Sequence, residues 1–466
     1  MSAGRALVDL SPLRVGTYRR VWANGLLAGL GIQVATVAVL FQVWDLTRNP
    51  FWVGAIGLVQ AVPLIVFGLV GGPLADVLDR RRVALWSTGG QSLAGLALAG
   101  QLVLGAYPLP VLLGLVGVQS AFSAVGAPSR RTFVVRLLPR TLVPAGIALL
   151  MLTFQASMLV GPALGGLILG ATSAGVCFLF NGVALAVAWW AIRGLPPLPP
   201  RPARGRTESV ADEAGDAAAA APPSAVAPEG TAVEGTASEG TASEGTASEG
   251  TAARVWRRTR RGVVMLADGI GTVRRDPVLR GSFLLDLAAT LLAFPVALFP
   301  MVNQELFDGD PRTLGLFLSA VAVGGMSAGA TSGLITRADR LGRIQVGAVA
   351  AWGLALLGFG AAAWAGQAWL VLGFLAVAGA ADTVSVTSRA AMVQLATPDE
   401  QLGRVSAVEH VIGLAGPDVG NARAGAVAGL TTPAATAVLG SLTCLALAAW
   451  VAATHREVAA FRVSGR

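Results

Sequence analysis

The sequence predicts an all-α polytopic membrane protein with twelve transmembrane helices in two six-helix halves. Three observations support this fold class: the composition, the number of long apolar stretches and the positions of the arginines. Of the 466 residues, 54% are hydrophobic and only 13% are charged, and the mean hydropathy is +0.67. Soluble proteins carry about 25% charged residues, so the composition indicates a chain that is embedded in a membrane along most of its length.

Counting residue types excludes several function classes. The chain contains no lysine, so all 34 basic residues are arginines, and neither a Walker A loop nor a lysine Schiff base can form. The two histidines, His410 and His455, cannot make an H-E-x-x-H zinc site. The two cysteines, Cys177 and Cys444, lie in apolar runs and exclude a cysteine-rich metal site. We therefore expect no enzyme activity, no metal and no cofactor.

Twelve apolar stretches are long enough to cross a hydrocarbon core roughly 30 Å thick. Six lie before a long polar break and six after it, and no cleavable signal peptide is recognisable at the start. The division predicted is a first half at 1–194, a cytoplasmic linker at 195–275 and a second half at 276–466. The predicted spans are 20–46, 51–75, 83–106, 109–128, 141–170, 172–194, 279–303, 313–336, 344–366, 368–388, 405–430 and 433–453.

The arginines are concentrated on one side of this topology. Thirty-one of the 34 lie in the terminal tails, the central break or the loops after even-numbered spans. Arg48 and Arg312 lie on the other side, and Arg423 lies within span 11. The positive-inside rule then places both termini and the central break in the cytoplasm. The net charge of +8 is thus a topology signal and an attraction to anionic lipids, and nucleic-acid binding is not expected.

The central break has three parts. Residues 195–206 read LPPLPPRPARGR, whose composition is typical of a stiff extended spacer. Residues 229–253 repeat a pentapeptide, mostly EGTAS, five times without the apolar residues that a core needs. This segment is expected to be a disordered linker rather than a partner-binding element. Beyond it, the segment from Arg254 to Arg275 has Trp256, Val263 and Ile270 among its arginines, which predicts an amphipathic helix on the inner membrane surface.

The loop after span 2 carries the most specific motif. From residue 71 the chain reads GGPLADVLDRRRV, which contains the spacing G-x-L-A-D-x-x-x-R-R. Glycine there allows helices to approach closely, and the charged groups lie where helix ends and lipid phosphates are available. The spacing resembles the signature loop between helices 2 and 3 of the major facilitator superfamily. The residues that carry it are Gly72, Asp76, Arg80 and Arg81.

Two further features extend this resemblance. A degraded copy of the loop, GLITRADRLGR, follows span 8, as expected if the halves are parallel copies. The first copy departs from the family pattern at Val77 and Asp79, where Arg and Gly are usual. In span 5 a run resembles the G-P-x-x-G-G motif of antiporters in the superfamily and favours export over uptake, although an ordinary glycine-rich packing face is the alternative. That run contains Gly161, Pro162, Gly165 and Gly166.

Segments of the second half indicate which branch of the superfamily the chain resembles. The runs QLATPDE, LGRV and GPDVGN after span 10 look like the branch of the superfamily that contains enterobactin exporters. The likeness covers both halves but not the central repeat. It implies proton-driven export of a siderophore by alternating access, with a macrolide or other drug exporter as the alternative. An alternative from another functional class is a non-transporting membrane sensor or scaffold. The sequence gives no sign of a folded soluble domain, which is evidence against that alternative.

Charges within apolar stretches mark candidate site residues, because each costs roughly 2.5–3.5 kcal/mol at mid-membrane. Asp286 in span 7 and Asp382 in span 10 are predicted at one depth, roughly 10 Å below the inner face. The family resemblance puts spans 1, 4, 7 and 10 around a central cavity, which implies that both carboxylates lie on the substrate path. We expect them to act in proton coupling or substrate contact; local pairing, for example of Asp382 with Arg389, is the alternative.

Other polar residues within spans are secondary candidates. Span 11 carries Glu409, Asp418 and Arg423, for which pairing within the span is favoured over a substrate site. Span 1 carries Asn24 and Gln33, which either donate hydrogen bonds to a polar ligand or join helices. The partners expected are a small molecule, protons and membrane lipids, and the chain is expected to be a monomer. The alanine-, glycine- and arginine-rich composition indicates a GC-rich bacterial genome and hence a bacterial plasma (inner) membrane.

Overall fold

The computed structural model describes residues 9–103, 105, 108–199, 251–331 and 338–463. The repeats at 229–250 and the first part of the second loop copy, 333–337, lie outside the described residues. Every regular element in the described part is a helix. Ten of these helices are long and apolar enough to cross a membrane by length and composition.

The first half contains spans 1 to 6, and each helix follows a predicted apolar stretch. A short helix, Phe133–Leu137, follows span 4. Span 1 begins four residues earlier than predicted, so its first turn includes Tyr18, which is buried and donates a hydrogen bond to the Gly146 carbonyl (2.9 Å). The bounds are Gly16–Thr47, Pro50–Val77, Arg80–Val103, Leu109–Arg131, Val143–Ala171 and Ala174–Arg193.

The second half contains spans 7 to 12, and span 7 is discontinuous. It consists of Pro277–Leu287, a π-helical turn at Ala288–Leu292 and, after a break, Phe299–Phe307. Span 10 runs two turns further than predicted because no helix breaker occurs before Thr397-Pro398. The bounds of spans 8 to 12 are Pro311–Ala330, Leu341–Trp364, Ala368–Ala396, Asp399–Ala428 and Pro433–Thr454.

Four spans begin with the same two-residue signal. A side chain that accepts a backbone hydrogen bond caps the helix, and a proline with its fixed φ follows in the first helical position. The caps accept from amides two or three residues ahead, as in Asp276, whose Oδ1 accepts from Val278 N at 2.8 Å. These pairs are Asn49-Pro50, Asp276-Pro277, Asp310-Pro311 and Thr432-Pro433.

Spans 3 and 11 are the two most polar spans, and the bundle encloses several polar side chains of span 3. Span 3 starts with three arginines and buries Ser87, Gln91 and Ser92 while packing against spans 4 and 6. Span 11 carries several charges and packs against span 2 and the π-helical turn of span 7. Together with the ten apolar helices they give the twelve spans predicted from the sequence.

The halves touch mainly through two helix pairs, span 2 with span 11 and span 5 with span 8. Within the first half, span 1 packs on spans 5 and 6, and span 2 packs on span 4. Within the second half, span 10 packs on spans 8 and 9, and span 9 also packs on span 12. Since span 8 corresponds to span 2 and span 11 to span 5, these two contacts are related by a pseudo-two-fold axis, as parallel repeats require.

The outer surface of the bundle is apolar. Large hydrophobic side chains are exposed on spans 3, 6, 9 and 12, including Trp86, Trp190 and Trp450. Soluble monomers rarely expose apolar surface of this extent, and tryptophan near helix ends is typical of membrane interfaces. The protein is therefore a multi-pass membrane protein.

The described parts of the central break pack against the two halves. Leu195 and Leu198 are buried against Ala84 and Phe133 of the first half, so the chain after span 6 is anchored and not a free spacer from its first residue. A helix at Thr251–Arg275, here named the basic helix, begins within the last pentapeptide and leads directly into span 7. The side of the molecule with Arg80, Arg130 and this helix is called the arginine-rich side below.

Candidate functional site

The break in span 7 is the local feature that shapes the second half. After the π-helical turn the chain leaves the helix at Phe294 and Pro295, and proline supplies no N–H to continue the ladder. The backbone N–H of Ala297 donates to Asn421 Oδ1 of span 11 at 3.0 Å, which satisfies one freed donor. This break was not predicted from the sequence, although two prolines five residues apart, Pro295 and Pro300, were a usable signal.

A buried charge network joins three spans next to the π-helical turn. Asp286 of span 7 forms an ion pair with Arg389 of span 10, and their side chains are each 6% exposed. Glu409 Oε1 of span 11 lies 3.5 Å from Arg389 Nε. Two carboxylates and one guanidinium give the trio a net charge of −1 when both acids are ionised, so one proton can enter without leaving a net positive charge.

Asp382 lies two helical turns before Arg389 on span 10. It forms no ion pair within the described part of the chain, and the local pairing of Asp382 with Arg389 is not observed, because Arg389 is engaged by Asp286 and Glu409. Span 10 continues past its predicted end at residue 388 to Ala396, which is fourteen residues after Asp382, or roughly 21 Å along the helix.

A polar cavity lies on the face of the first half, and span 11 closes it from the other half. It holds about 210 Å³, less than the roughly 300–1,000 Å³ usual for small-molecule sites, so a larger ligand requires the halves to separate further. Asp418 is the one charged residue among the described residues that line it. The polar lining is Thr36, Gln60, Gln91, Gln119, Ser120, Ser123, Asn181 and Asp418, and the apolar lining includes Ile32, Val39, Leu64 and Val116.

Asn181 of span 6 is the most unusual side chain of this lining. It is completely buried, and neither its amide nitrogen nor its amide oxygen has a hydrogen-bond partner among the described residues. Buried polar groups are normally paired, since an unpaired one costs about 1–3 kcal/mol. A ligand that donates and accepts hydrogen bonds would satisfy it. Asn181 and the three glutamines were not predicted as site residues, because neutral polar residues leave no distinct mark in a hydropathy profile.

The two candidates on span 1 do not line this cavity. Asn24 Nδ2 donates to the Arg20 carbonyl of its own helix at 2.6 Å. Gln33 Nε2 donates to Met158 Sδ of span 5. Gln33 therefore joins helices, which is the second of the two roles considered for it, and the neighbouring Thr36 faces the cavity instead.

The pairing expected within span 11 is not observed. Glu409 reaches Arg389 of span 10, and Asp418 faces the cavity. Arg423 lies beside the break in span 7, near Leu292 and Gly440. These side chains point to three different neighbours because a helix turns by 100° per residue, and spacings of five and nine residues do not share one face.

The signature loop after span 2 lies at the arginine-rich side. Asp76 Oδ2 is 3.4 Å from Arg258 of the basic helix, and Asp76 Oδ1 is 3.8 Å from Arg80. Arg81 donates to the Arg193 carbonyl at the end of span 6 (2.5 Å). Gly72, expected to permit close packing, faces open space, since a Cβ added there would have no neighbour within 4 Å, whereas the preceding Gly71 packs on the span 4 backbone.

Asp79, one of the two departures from the family pattern, has a structural explanation. Its Oδ1 accepts from the backbone N–H of Arg81 (2.8 Å) and of Arg82 (3.2 Å), so it caps span 3. Its Oδ2 accepts from Leu198 N at 2.9 Å. Glycine, the usual residue, could make none of these bonds, and the aspartate therefore anchors the first residues of the central break.

The glycine-proline motif of span 5 lies between span 1 and span 8. Gly161 packs on Gln33 and Gly165 on the Val34 backbone, both in span 1. Gly166 packs on the carbonyls of Pro311 and Arg312 at the start of span 8. The motif thus lies in one of the two interfaces between the halves, where small residues allow helices to slide and separate.

The second interface is equally tight at the side opposite the arginines. Gly54 of span 2 and Gly425 of span 11 face each other so closely that a Cβ on Gly54 would lie 2.8 Å from the Gly425 Cα. Arg48 also donates to Gln304 Oε1 of span 7 at 2.8 Å across the halves on this side. The structure is therefore closed at the side opposite the arginines.

Comparison with known proteins agrees with this architecture. The sequence model of the Major Facilitator Superfamily matches residues 21–408. The enterobactin exporter EntS of Shigella boydii serotype 18 is 24% identical over 441 residues, which are 92% of this chain and 90% of that protein. EntS of Escherichia coli O1:K1 is similar to the same extent, at 24% identity over 92% of this chain and 90% of its own.

Solved structures share the fold at low sequence identity. A POT family transporter in complex with 5-aminolevulinic acid has a TM-score of 0.66 at 11% identity, with 96% of this chain and 97% of that chain covered. A bacterial homologue of the iron transporter ferroportin, in its inward-facing state, has a TM-score of 0.62 at 14% identity, with 98% and 100% covered. With its twelve spans, its two paired interfaces and a family match over most of its length, this chain belongs to the major facilitator superfamily.

Proposed function

We propose that this protein is a proton-driven exporter of a siderophore-like amphipathic molecule and that it works by alternating access. The observation that carries the proposal is the buried network of Asp286, Arg389 and Glu409, with Asp382 nearby on the same helix as Arg389. Protonation of Asp286 would remove its charge and release Arg389 to Glu409 alone. An exchange of this kind changes the contacts between spans 7, 10 and 11, and so couples a proton to a conformational change.

Three further observations support export from the cytoplasm of a bacterium. The arginine distribution supports a cytoplasmic location for both termini and for the arginine-rich side. The curated relatives, at 24% identity, are enterobactin exporters. The antiporter-type motif of span 5 lies in the interface between the halves. The proposal includes the inner membrane as location, a monomeric state and the division into 1–194, 195–275 and 276–466.

Comparing iron-starved cells with and without the gene tests this proposal. Mass spectrometry should find a siderophore lost from the spent medium and accumulated in cells that lack the gene. Complementation with the unaltered gene should restore export, and complementation with the Asp286→Asn variant should not. A siderophore profile that is identical in all strains would contradict the siderophore assignment, whereas membership of the superfamily would remain valid.

A second candidate, efflux of cationic amphipathic drugs such as macrolides, is favoured by the cavity itself. Its lining combines apolar side chains with one carboxylate, Asp418, and contains no basic residue among those described. When it is ionised, this carboxylate attracts a cation and repels an anion by Coulomb's law. Once the halves separate further, the amides of this lining would be available to a neutral siderophore, whereas an ionised Asp418 would disfavour a metal-loaded anionic one.

Charge substitutions in this cavity should therefore change substrate selectivity. We expect Asp418→Asn to lower the efflux of a cationic drug about tenfold relative to a neutral one, a difference of ~1.4 kcal/mol. The matched variant Gln119→Glu, which adds a carboxylate to the same lining, should change the ratio in the opposite direction. Uptake into inverted vesicles measures both rates. If Asp418→Asn lowers both rates equally, Asp418 does not select by charge.

A further inference from the structure

The basic helix contacts both halves of the protein at once. Near its start, Arg258 Nη1 lies 3.4 Å from Asp76 Oδ2 in the last turns of span 2. Near its end, Gly269 packs against the backbone of Arg404 in span 11 with no room for a side chain. Arg404 Nη1 also lies 3.8 Å from Asp268 Oδ2. One rigid helix is thus anchored on the first half and on the second half.

The two anchors are far apart along the helix. Arg258 and Gly269 are eleven residues from each other, or roughly 16 Å at 1.5 Å per residue. At the opposite side of the molecule spans 2 and 11 are in direct contact through Gly54 and Gly425. While the basic helix remains docked, the arginine-rich ends of spans 2 and 11 cannot close on each other, although alternating access requires them to do so.

The face of the basic helix that points away from the protein is both apolar and basic. Trp256, Val263 and Ile270 recur every seven residues on one stripe and are 66%, 47% and 39% exposed. The helix contains seven arginines and one acidic residue, Asp268. Four of the exposed arginines, which make no ion pair with an acidic residue in the described part of the chain, are Arg254, Arg260, Arg261 and Arg274.

The position and chemistry of this face fit an anionic phospholipid surface. The helix ends at Arg275, and span 7 begins two residues later at Pro277, so the helix lies where the chain enters the membrane. An apolar stripe with tryptophan enters the boundary of the acyl chains, and flanking arginines bind phosphate groups. A soluble polyanion would satisfy the arginines but would leave Trp256 and its stripe in water.

We propose that the basic helix is a strut, anchored by anionic phospholipid, that holds the arginine-rich side open. Lipid on the outer face keeps the helix at the membrane surface, and the docked inner face keeps spans 2 and 11 apart. Loss of the lipid contact weakens this anchorage and lets the two spans approach. The inference rests on alternating access in this family and is independent of the identity of the substrate.

Distance measurements between spin labels test the strut directly. Labels are placed by Gly72→Cys in span 2 and Gly403→Cys in span 11, two positions where an added Cβ would have no neighbour within 4 Å. The native Cys177 and Cys444 are buried and do not compete for label. The full chain is reconstituted into nanodiscs of neutral phosphatidylcholine, with or without anionic phosphatidylglycerol, and the interspin distances are recorded by pulsed electron resonance.

Anionic lipid should favour the long interspin distance, with the ratio of long to short populations rising roughly tenfold. Removing charge from the outer face should abolish this lipid effect, whereas removing as much charge elsewhere should not. The first variant combines Arg254→Gln, Arg260→Gln, Arg261→Gln and Arg274→Gln. The control combines Arg19→Gln, Arg20→Gln, Arg82→Gln and Arg456→Gln, at arginines that are also exposed.

Either of two results in this experiment would overturn the proposal. Distances that are the same in neutral and anionic nanodiscs would remove the role of the lipid. An equal effect of soluble polyphosphate on protein in neutral nanodiscs would show general anion binding instead of binding to a membrane surface.

A variant of the docked face gives a further expected result. Asp76→Asn, which removes the anchor on span 2, should increase the short-distance population even in anionic lipid. Because these readouts need no substrate, they stand apart from the export assays.

Discussion

Replacing Asp286 by asparagine should abolish proton-driven export while the protein remains inserted in the membrane. Asparagine keeps the shape of the side chain but cannot carry the charge that pairs with Arg389. Removing one partner of a buried ion pair costs roughly 3–5 kcal/mol when the other charge stays unpaired, but here Glu409 remains beside Arg389. The network is therefore held in one charge state and cannot exchange a proton. Proteoliposomes with an imposed pH gradient measure the expected loss.

Two controls separate coupling from folding in this experiment. Glu305→Gln removes an exposed carboxylate from Phe299–Phe307, the part of span 7 after the break, and should leave gradient-driven transport unchanged. Substrate exchange without a pH gradient should persist in Asp286→Asn, because binding and the conformational change do not require net proton movement. If Asp286→Asn transports normally with an unchanged pH profile, the network has only a structural role.

A valine in place of Gly54 should lower export at least about tenfold by preventing the halves from closing at the side opposite the arginines. In the closed interface a Cβ on Gly54 would lie 2.8 Å from the Asn421 carbonyl oxygen and 2.8 Å from the Gly425 Cα. Backbone atoms cannot move aside as a flexible side chain can, so span 2 and span 11 must separate. The variant should therefore favour the state that is open at that side.

Cysteine accessibility measures this change of state. Thr36→Cys lines the cavity, and its reaction with a membrane-impermeant maleimide added at the side opposite the arginines should be faster in Gly54→Val. The matched control is Gly68→Val on the same span, where an added Cβ would have no neighbour within 4 Å. Equal rates in both variants, with export preserved, would show that this interface does not open during transport.

The sequence predicted the spans because apolar length is a local signal, and the residues that start the helices are local as well. Asn49-Pro50 and Asp310-Pro311 each start a helix where they stand, whatever their neighbours do. It also identified Asp286, since a charge in an apolar run is conspicuous. It could not decide the partner of Arg389, because that depends on the relative rotation and depth of three helices.

Other parts of the site depended on packing that no single sequence displays. Gln60, Gln119 and Asn181 line the cavity from spans 2, 4 and 6, and only the assembled bundle brings them together. Of the two glycines at the signature loop, Gly71 packs on the span 4 backbone and Gly72 faces open space, because one residue is 100° of rotation on a helix. Motif spacing carries the family resemblance but does not fix which face of a helix meets its neighbour.

The break in span 7 allows the segment that follows it to change its angle relative to the segment that precedes it. The segment Phe299–Phe307 has nine residues and is roughly 13 Å long. A change of about 20° in the kink, the size at which helix kinks are recognised, would move its tip by roughly 5 Å. That displacement exceeds the length of the hydrogen bond between Arg48 and Gln304, 2.8 Å, near that tip. A change of this size at the break, around Phe294 and Pro295, would therefore separate Gln304 from Arg48 and remove a contact between the halves.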